Sequence, residues 1–315
     1  MDQALVDGVD TISMSMSFRR ALPYENPVSI VLFAAMEKGV LVFSSAGNRG
    51  SNLMTVVGNP WSLAVGVGTI DRQLAGTLTL RNGKTFIGWS INNQISTVIE
   101  STLTGVIFIS TDEREEYRIP GFTIKPMDAT PTVINYAKST IDPKATIKFR
   151  QTSVRWGEKC VPQILKYSSR RPSQNYRGIL KPNVVAPRSQ VLAAWSPKVA
   201  TSYIGRNNLF MSRNYNIFSR TSITCPYASG VVVLLKGVHA YWSPTTIRLA
   251  MMITTNPLDN TNNPIFDVEF LRPVRGLDMG ASQIDPNKAL NPGLTYDVGV
   301  QNYVNYICSF NFIKE

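Results

Sequence analysis

A serine that precedes a long apolar run is the first feature of the sequence that could do chemistry. Ser222 lies in the stretch FSRTSITCPYASGVVVLLKGVH (218–239), which predicts a helix starting just after this serine. A serine at a helix N-terminus most often caps the helix, with its oxygen accepting a backbone N–H. The position also suits a nucleophile, because the helix dipole favours negative charge developing on the serine oxygen. The local pattern leaves both interpretations open.

A second candidate is the asparagine that closes the stretch VLVFSSAGN (40–48). Asn48 beside Gly47 is typical of a turn. A side-chain amide at the end of a strand can also donate to an oxyanion, which is worth roughly 3–4 kcal/mol in such sites. Both interpretations of Asn48 therefore stay open as well.

His239, the single histidine, is the obvious candidate for a base. It follows Ser222 by 17 positions on what reads as one continuous helix, so the two residues are about 25 Å apart. A general base must approach its proton donor to about 3 Å. The sequence therefore predicts that His239 is structural, unless Gly237 breaks the helix and folds it back.

The elements that must position these residues alternate between strand and helix. Strands are predicted within 10–16, 40–48 and 61–69, and a helix within 26–39. This alternation favours a parallel sheet with crossover helices. The alternation resumes after the middle of the chain, in 178–187, in 191–197, in the helix after Ser222 and in a helix within 243–255. In this last helix Ser243 is the predicted N-cap and Pro244 the first helical residue.

The middle of the chain has a different character. From about Leu74 to Thr152 the strand-like runs are shorter, and 129–140 predicts one amphipathic helix. We interpret this part as an inserted α+β unit.

Composition and charge limit the classes of function. The chain has 315 residues, 43% hydrophobic, with 32 Lys and Arg against 21 Asp and Glu, a net charge of +11. The basic residues are scattered, which indicates a solvated surface and no nucleic-acid partner. The stretch 29–43 is too short and too charged for a membrane span, and the first ten residues do not read as a signal peptide.

The three cysteines, Cys160, Cys225 and Cys308, do not form a C-x-x-C pair. This argues against a thiolate zinc site, and we predict neither a metal nor a cofactor. An odd, low count argues against a disulfide-stapled scaffold, although one disulfide stays open.

Motifs along the whole chain resemble those of the subtilisin-like serine proteases, and most closely the plant subtilases. They are VDGVDTISMSM (6–16), AAMEKGVLVFSSAGN (34–48), SSRRPS (168–173), GILKPNVVAP (178–187), SRTSITCPYASG (219–230), HAYWSPTTIRLAMMITTNPLDNT (239–261) and GASQIDPNKALNPGLTYD (280–297). The resemblance implies an α/β class: a partial subtilisin-like three-layer fold with a mostly parallel sheet, interrupted by a shortened protease-associated-like α+β insert. It divides the chain into catalytic-domain parts at 1–74 and 153–315 and the insert at 75–152.

The resemblance also implies roles for particular residues. Ser222 corresponds to the family's nucleophile and Asn48 to its oxyanion-hole asparagine. The two segments that flank an extended peptide substrate correspond to Ser15, Met16 and Ser17, and to Ser44, Ser45, Ala46 and Gly47. Backbone pairing along such edges is how a strand-like peptide is bound. The implied partner is a polypeptide substrate or peptide ligand.

This sequence differs from the family's pattern at positions that catalysis needs. The triad His and Asp of the family lie upstream of the segment matched here. The motifs that are present are also altered: Arg220, Arg171 and Ser17 stand where the family has glycine, and Tyr227 stands where it has His. Asn183 and Arg188 likewise replace an Asp and a Gly. The chain is therefore expected to be a truncated, degenerate member that is inactive by itself.

Two alternatives stay open beside an inactive protease. One is a non-catalytic peptide-binding or regulatory pseudoprotease, with association with a full-length subtilase as a further option. The other is an unfolded remnant, because the loss of strands exposes a sheet edge. The family resemblance implies an extracellular, secreted protein.

Overall fold

The structure is a computed structural model that describes residues 1–15, 26–50, 59–91, 106–109, 121–124, 130–154, 160–172, 178–188, 191–204, 209–218 and 221–309. The chain divides into two compact units. The first unit comprises Met1–Ile70, Gly157–Ser189 and Arg220–Glu315, and the second comprises Asp71–Trp156 and Gln190–Ser219. The segment 190–219, which the sequence assigned to the catalytic part, thus falls with the second unit.

The helices of the described residues are α1 (Asp2–Val6), α2 (Pro27–Glu37), α3 (Thr130–Ser139), α4 (Thr224–Val238), α5 (Pro244–Ile253), α6 (Gly276–Met279), α7 (Pro286–Ala289) and α8 (Val300–Cys308). A single 3₁₀ turn, Thr221–Ile223, precedes α4. The helices predicted within 26–39, 129–140 and 243–255 are therefore all present.

The strands are β1 (Thr11–Met14), β2 (Leu41–Ser45), β3 (Ser62–Gly68), β4 (Arg72–Leu80), β5 (Thr85–Ile91), β6 (Val106–Ile109), β7 (Gly121–Ile124), β8 (Ala145–Val154), β9 (Gln163–Ile164), β10 (Arg171–Pro172), β11 (Leu180–Lys181), β12 (Val184–Pro187), β13 (Val191–Ala194), β14 (Ser202–Ile204), β15 (Leu209–Met211), β16 (Tyr215–Phe218), β17 (Phe266–Asp267) and β18 (Arg272–Pro273). The strands predicted within 10–16, 40–48 and 61–69 correspond to β1, β2 and β3.

The first unit is built on one sheet in the order β1-β2-β3-β9-β17-β18, with β12 also paired to β3. The pairs β1–β2, β2–β3, β3–β12 and β9–β17 are parallel. The pairs β3–β9 and β17–β18 are antiparallel. This confirms the α/β class and the mostly parallel sheet.

Both faces of the central strands are covered. Leu41 and Phe43 of β2 pack in a cluster with the inner face of α4, whereas Val42 between them packs in a second cluster with α2. Because successive side chains of a strand point to opposite faces, this alternation places the sheet between two helical layers. β2 and β3 are buried along their whole length, as strands of such sheets are.

The helix ends follow the sequence signals. Asn26 caps α2 by accepting from the backbone N–H groups of Val28 and Ser29, and Pro27 is the first helical residue. Gly39 follows the helix with φ 76°, a conformation that favours glycine. Ser243 caps α5 by accepting from Thr246 N.

The second unit contains a sheet in the order β6-β7-β5-β4-β8, antiparallel except for β6–β7. Its core is formed by Leu78, Leu80, Phe122 and Ile124, with α3 contributing Val133 and Tyr136. Two antiparallel strand pairs, β13–β16 and β14–β15, also belong to this unit. Its likeness to a protease-associated domain stays a prediction.

A buried arginine joins two distant segments of the first unit. Arg170 is fully buried and forms ion pairs with Asp267 and, at 2.8 Å, with Glu269. Asp278 lies 3.9 Å from the same guanidinium and also pairs with Arg272 at 3.1 Å. Removing one partner of a buried pair leaves an uncompensated charge, which is strongly destabilising.

We therefore expect Arg170→Met to lower the free energy of unfolding by about 3–5 kcal/mol, because the buried carboxylate of Asp267 loses its cation and Glu269 loses its ion pair with Arg170. Lys288→Met removes the cation of the more exposed pair with Asp285 and should cost at most about 1 kcal/mol. Urea unfolding of both variants measures the difference. Equal losses would show that the Arg170 cluster does not stabilise the unit.

A buried lysine in β11 has no carboxylate partner among the described residues. Lys181 donates to Ser62 O at 2.7 Å and to Asn183 Oδ1 at 2.8 Å. Burial, and then the positive charge of Arg248, hold the pKa of Lys181 well below its usual range. A neutral amine has two N–H groups, and these two acceptors satisfy both. Asn183 stands where the resembling family has Asp, so the amide fits a neutral lysine.

This arrangement predicts a pH-dependent stability. Above its lowered pKa the folded Lys181 is neutral, whereas the unfolded chain keeps this proton up to about pH 10.4. The unfolded state binds more protons in that window, so the free energy of unfolding should rise with pH, by at most about 1.4 kcal/mol per pH unit from this group.

Asn183→Asp should raise the pKa of Lys181 and flatten the dependence of the free energy of unfolding on pH. Urea unfolding between pH 7 and 9.5 measures it, and Lys181→Met, which removes the group, is the control. Equal slopes in all three proteins would contradict the assignment.

Candidate active site

Ser222 lies in the 3₁₀ turn Thr221–Ile223 that leads into α4. The N-cap residue of α4 is Ile223, and no side chain caps this helix end. The capping interpretation of Ser222 is therefore wrong, because the 3₁₀ turn moves the start of the α-helix past the serine. Ser222 is partly exposed, at the end of the helix where the dipole favours negative charge.

The inner face of α4 fixes the position of this turn. Its buried residues recur at helical spacing: Cys225, Ala228, Val231, Val232 and Leu235. They pack against side chains of β2, β3 and β12, which include Phe43, Val65 and Val184. Because the helix is held along its whole length, the serine before its first turn has a defined place relative to the sheet.

A hydrogen bond ties the nucleophile turn to the end of β1. Ser15 Oγ donates to the backbone carbonyl of Ser222 at 2.8 Å. The two serines are 207 positions apart in the chain, and Ser15 directly follows the last residue of β1. The structure thus brings one predicted substrate-edge residue into contact with the predicted nucleophile. Met16 and Ser17 lie outside the described residues.

The second predicted substrate segment starts inside the sheet. Ser44 of β2 pairs with Met14 of β1 and Ala64 of β3, and Ser45 pairs with Val65. Ala46 N donates to Val65 O at 2.9 Å. Ser44, Ser45, Ala46 and Gly47 are all buried, and the chain becomes exposed only at Asn48, which follows this segment. Its substrate role stays a prediction.

Asn48 is exposed just beyond the carboxyl end of β2, in a turn held by neighbouring backbone. Gly47 adopts φ 105° and accepts from Ser169 N at 3.1 Å. Arg49 N donates to Ser169 Oγ at 2.9 Å, and Gly50 N donates to Tyr167 O at 3.0 Å. The carboxyl ends of parallel strands are where open α/β sheets bind ligands, and Ser15 and Asn48 both lie there.

His239 lies at the opposite end of α4 from Ser222. The helix runs unbroken through Gly237 and ends at Val238, so its 15 residues separate the two by about 22 Å. His239 Nε2 lies 2.9 Å from Leu290 O, and its ring stacks on Trp242 with centroids 3.8 Å apart. Since the helix does not fold back at Gly237, His239 has a structural role and does not reach Ser222.

The other reactive groups near Ser222 are held protonated. Burial raises the pKa of the Cys225 thiol to about 12, although hydrogen bonds with Ser15 and Thr224 act in the other direction. Burial also raises the pKa of Tyr227. Cys225 is therefore neither a nucleophile nor a base at neutral pH. It is a free thiol, as are Cys160 and Cys308.

Membrane-spanning helices and metal-ligand clusters are both missing from the described part of the chain. No helix there has the length and apolar character needed to cross a membrane. The same residues contain no group of three or more His, Cys, Asp or Glu side chains that could hold a metal ion.

The link between Ser15 and Ser222 is the site feature that sequence reasoning missed. The motif placed Ser15 on a substrate edge but gave its hydroxyl no partner. No local signal could have supplied one, because the acceptor is a backbone carbonyl more than two hundred residues away.

A serine turn at the N-terminus of a helix packed on a mostly parallel sheet, beside the carboxyl ends of its strands, is a hydrolase-type arrangement. The sequence comparisons agree. Residues 1–272 match the subtilase family (Peptidase S8), and the chain belongs to that family.

The relatives are plant enzymes. The chain is 39% identical over 366 residues to subtilisin-like protease SBT3 of Solanum lycopersicum, covering all of this chain and 48% of that protein. It is 33% identical to subtilisin-like protease SBT4.9 of Arabidopsis thaliana, covering 99% of this chain and 46% of the relative. These matches confirm a plant subtilase, and the chain spans about half the length of the curated relatives it matches. Among solved structures, the prenylagaramide maturation protease PagA aligns with 93% of this chain over 66% of its own length. The TM-score of this alignment is 0.44 and the sequence identity is 12%.

The turn that carries Asn48 yields a prediction. Gly50 has φ 70°, and an added Cβ would lie 2.5 Å from the backbone oxygen of Lys166. Gly39 has a similar φ of 76° with nothing within 4 Å of an added Cβ. We expect Gly39→Ala to cost about 1 kcal/mol from backbone strain alone. Gly50→Ala should cost clearly more, because backbone must move. Thermal unfolding of both variants measures the difference, and equal costs would show that the turn is not held against 166–169.

Proposed function

We propose that the chain supplies the nucleophile part of a subtilase-type serine endopeptidase site that hydrolyses peptide bonds in polypeptide substrates. The observation that carries the proposal is the placement of Ser222: it does not cap α4, it precedes the helix, and Ser15 ties it to the end of β1. In this proposal Asn48 is the oxyanion donor. The segments at Ser15–Ser17 and Ser44–Gly47 bind the substrate as an extended strand.

The proposed reaction proceeds through an acyl-enzyme. Ser222 Oγ attacks the scissile carbonyl carbon while a base takes its proton, and the Asn48 amide stabilises the negative oxygen of the tetrahedral intermediate. The C–N bond then breaks, and the leaving amine receives the proton. Water adds to the ester in the same way and releases Ser222 and the new carboxylic acid.

The 315 residues contain no second histidine that could act as the base. His239 is the only histidine and is held about 22 Å away at the other end of α4. Without a base, the oxyanion donor and substrate binding leave only a small rate enhancement over water. We therefore propose that this chain alone binds peptides without measurable turnover.

A non-catalytic peptide-binding or regulatory role is the second candidate. It is favoured by Tyr227, which stands where the family motif has His and whose hydroxyl stays protonated. It is also favoured by β1, which pairs with β2 on one side only among the described strands. Such an edge accepts an extended peptide. A secreted location, a protease-associated role of the second unit and association with a full-length subtilase belong to this proposal as family-based expectations.

Chemical rescue tests Ser222. The purified chain should not react with a fluorophosphonate probe, because Ser222 Oγ has no base. Added imidazole replaces a missing histidine and should restore slow labelling, which Ser222→Ala should abolish. Gel fluorescence measures the label, with active SBT3 as the positive control.

The outcomes separate the candidates. Labelling of the wild-type chain without imidazole would contradict the absence of a base. Imidazole-dependent labelling that persists in Ser222→Ala would show that Ser222 is not the nucleophile. No labelling at any imidazole concentration, in a chain that binds a fluorescent extended peptide, would favour the non-catalytic role.

A further inference from the structure

A polar cleft lies within the second unit, between the turn that joins β4 to β5 and the helix α3. Its volume is about 550 Å³, which is inside the range of small-molecule sites. The turn contributes Arg81, Asn82 and Lys84, and every described residue that lines the cleft carries a hydroxyl, an amide or a positive charge. Such a lining favours a hydrophilic ligand, because an apolar one would leave these polar groups without partners.

The helix α3 presents a row of polar side chains to the cleft. Thr132, Asn135 and Ser139 line it, and residues spaced by three or four positions lie on one face of a helix. Asn135 and Ser139 are exposed and Thr132 is half-buried. No hydrogen bond to another described residue engages the three side chains. The row is about 10 Å long, and its hydroxyl and amide groups are available to a ligand.

One residue holds both walls of the cleft in place. The backbone N–H of Arg81 donates to Lys144 O at 2.9 Å, which fixes the turn. The Tyr136 hydroxyl donates to the same carbonyl at 3.0 Å and accepts from Lys144 N at 3.2 Å, which fixes α3. Because the turn and the helix are both bonded to one backbone segment, the cleft is formed before a ligand arrives, and binding needs little further ordering.

Positive charge predominates at the turn. Asp142 pairs with Arg81 at 3.3 Å and with Lys144 at 2.8 Å, so one carboxylate serves two cations. Lys84 is exposed and pairs with no described carboxylate. None of the described residues that line the cleft is acidic. The turn therefore keeps an excess of positive charge, which attracts an oxyanion.

The two walls of the cleft suit different groups of one ligand. A guanidinium and an ammonium on the turn bind a carboxylate or a phosphate. Neutral hydroxyls and amides on the helix exchange hydrogen bonds with hydroxyl groups. A molecule with an acidic group and several hydroxyls along its length satisfies both walls, and acidic sugars, whether uronates or sugar phosphates, have this chemistry.

We propose that this cleft is a binding site for an acidic carbohydrate. Arg81 and Lys84 hold its carboxylate or phosphate group. Thr132, Asn135 and Ser139 form hydrogen bonds with its hydroxyl groups. All of these residues belong to the second unit, so the proposal does not depend on Ser222 or on peptide hydrolysis.

Isothermal titration of the 315-residue chain tests the site. The acidic probes are trigalacturonate, which carries carboxylates, and glucose 6-phosphate, which carries a phosphate. Maltotriose is the control for a neutral sugar, and inorganic phosphate is the control for an anion alone.

Three variants test which residues bind the probe. Lys84→Met removes a cation of the turn, and Ser139→Ala removes one hydroxyl of the row. Lys138→Met is the matched control, because Lys138 is an exposed residue of α3 that does not line the cleft. All three sites are exposed, so the substitutions should leave folding intact, which thermal unfolding checks.

We expect at least one acidic probe to bind the wild-type chain, and maltotriose not to bind. Lys84→Met should weaken that binding at least about fivefold and Ser139→Ala about two- to threefold, whereas Lys138→Met should change it less than about twofold. Binding of trigalacturonate alone would assign the site to a carboxylate, and binding of glucose 6-phosphate alone would assign it to a phosphate. Either result supports the proposal.

Four results would overturn the acidic-carbohydrate site. They are no binding of either acidic probe, equal losses with Lys84→Met and Lys138→Met, maltotriose binding as tightly as trigalacturonate, and inorganic phosphate binding as tightly as glucose 6-phosphate. The last of these would show that the hydroxyl groups of the sugar make no contribution.

Discussion

The packing of α4 on the central sheet is the interaction on which the rest of the first unit depends. Its buried face meets β2, β3 and β12, the strands at the centre of the sheet. The same contact places Ser222 before the first turn of the helix and His239 just beyond its last residue. Because the helix is rigid and anchored along its length, it fixes the serine in place and keeps the only histidine away from it.

The carboxyl ends of the parallel strands collect the remaining site residues. Ser15 follows β1 and Asn48 follows β2, and each is held by a contact to a distant segment: Ser15 to the Ser222 turn, and the Asn48 turn to 167–169. Parallel strands end on the same side of a sheet, so residues far apart in the chain meet there. The site is therefore a product of the topology as much as of the motifs.

Two buried basic side chains of the first unit, Arg170 and Lys181, are each satisfied in a different way. Arg170 is neutralised by carboxylates of a segment about a hundred positions away. Lys181 is instead satisfied by a carbonyl and an amide, and its pKa falls because no described carboxylate offsets its burial. Asn183, which stands where the resembling family has Asp, accepts from Lys181 Nζ without adding a negative charge beside it. The same Asn183 oxygen also accepts from Ala64 N at 2.9 Å, which holds the amide against β3.

The sequence by itself determined the family, the α/β class and the main elements. Alternating apolar runs, the caps at Asn26 and Ser243 and the glycine after α2 are local signals, and local signals specify helix and strand directly. It also predicted that His239 is too far from Ser222, since helical rise is constant, and the unbroken helix through Gly237 confirms that prediction. Only the tertiary structure decided that Ser222 does not cap α4, that Ser15 contacts the serine turn, and that the β4–β5 turn and α3 are joined through Lys144. Each of these depends on where remote segments meet, and the periodicity of a chain carries no information about such contacts.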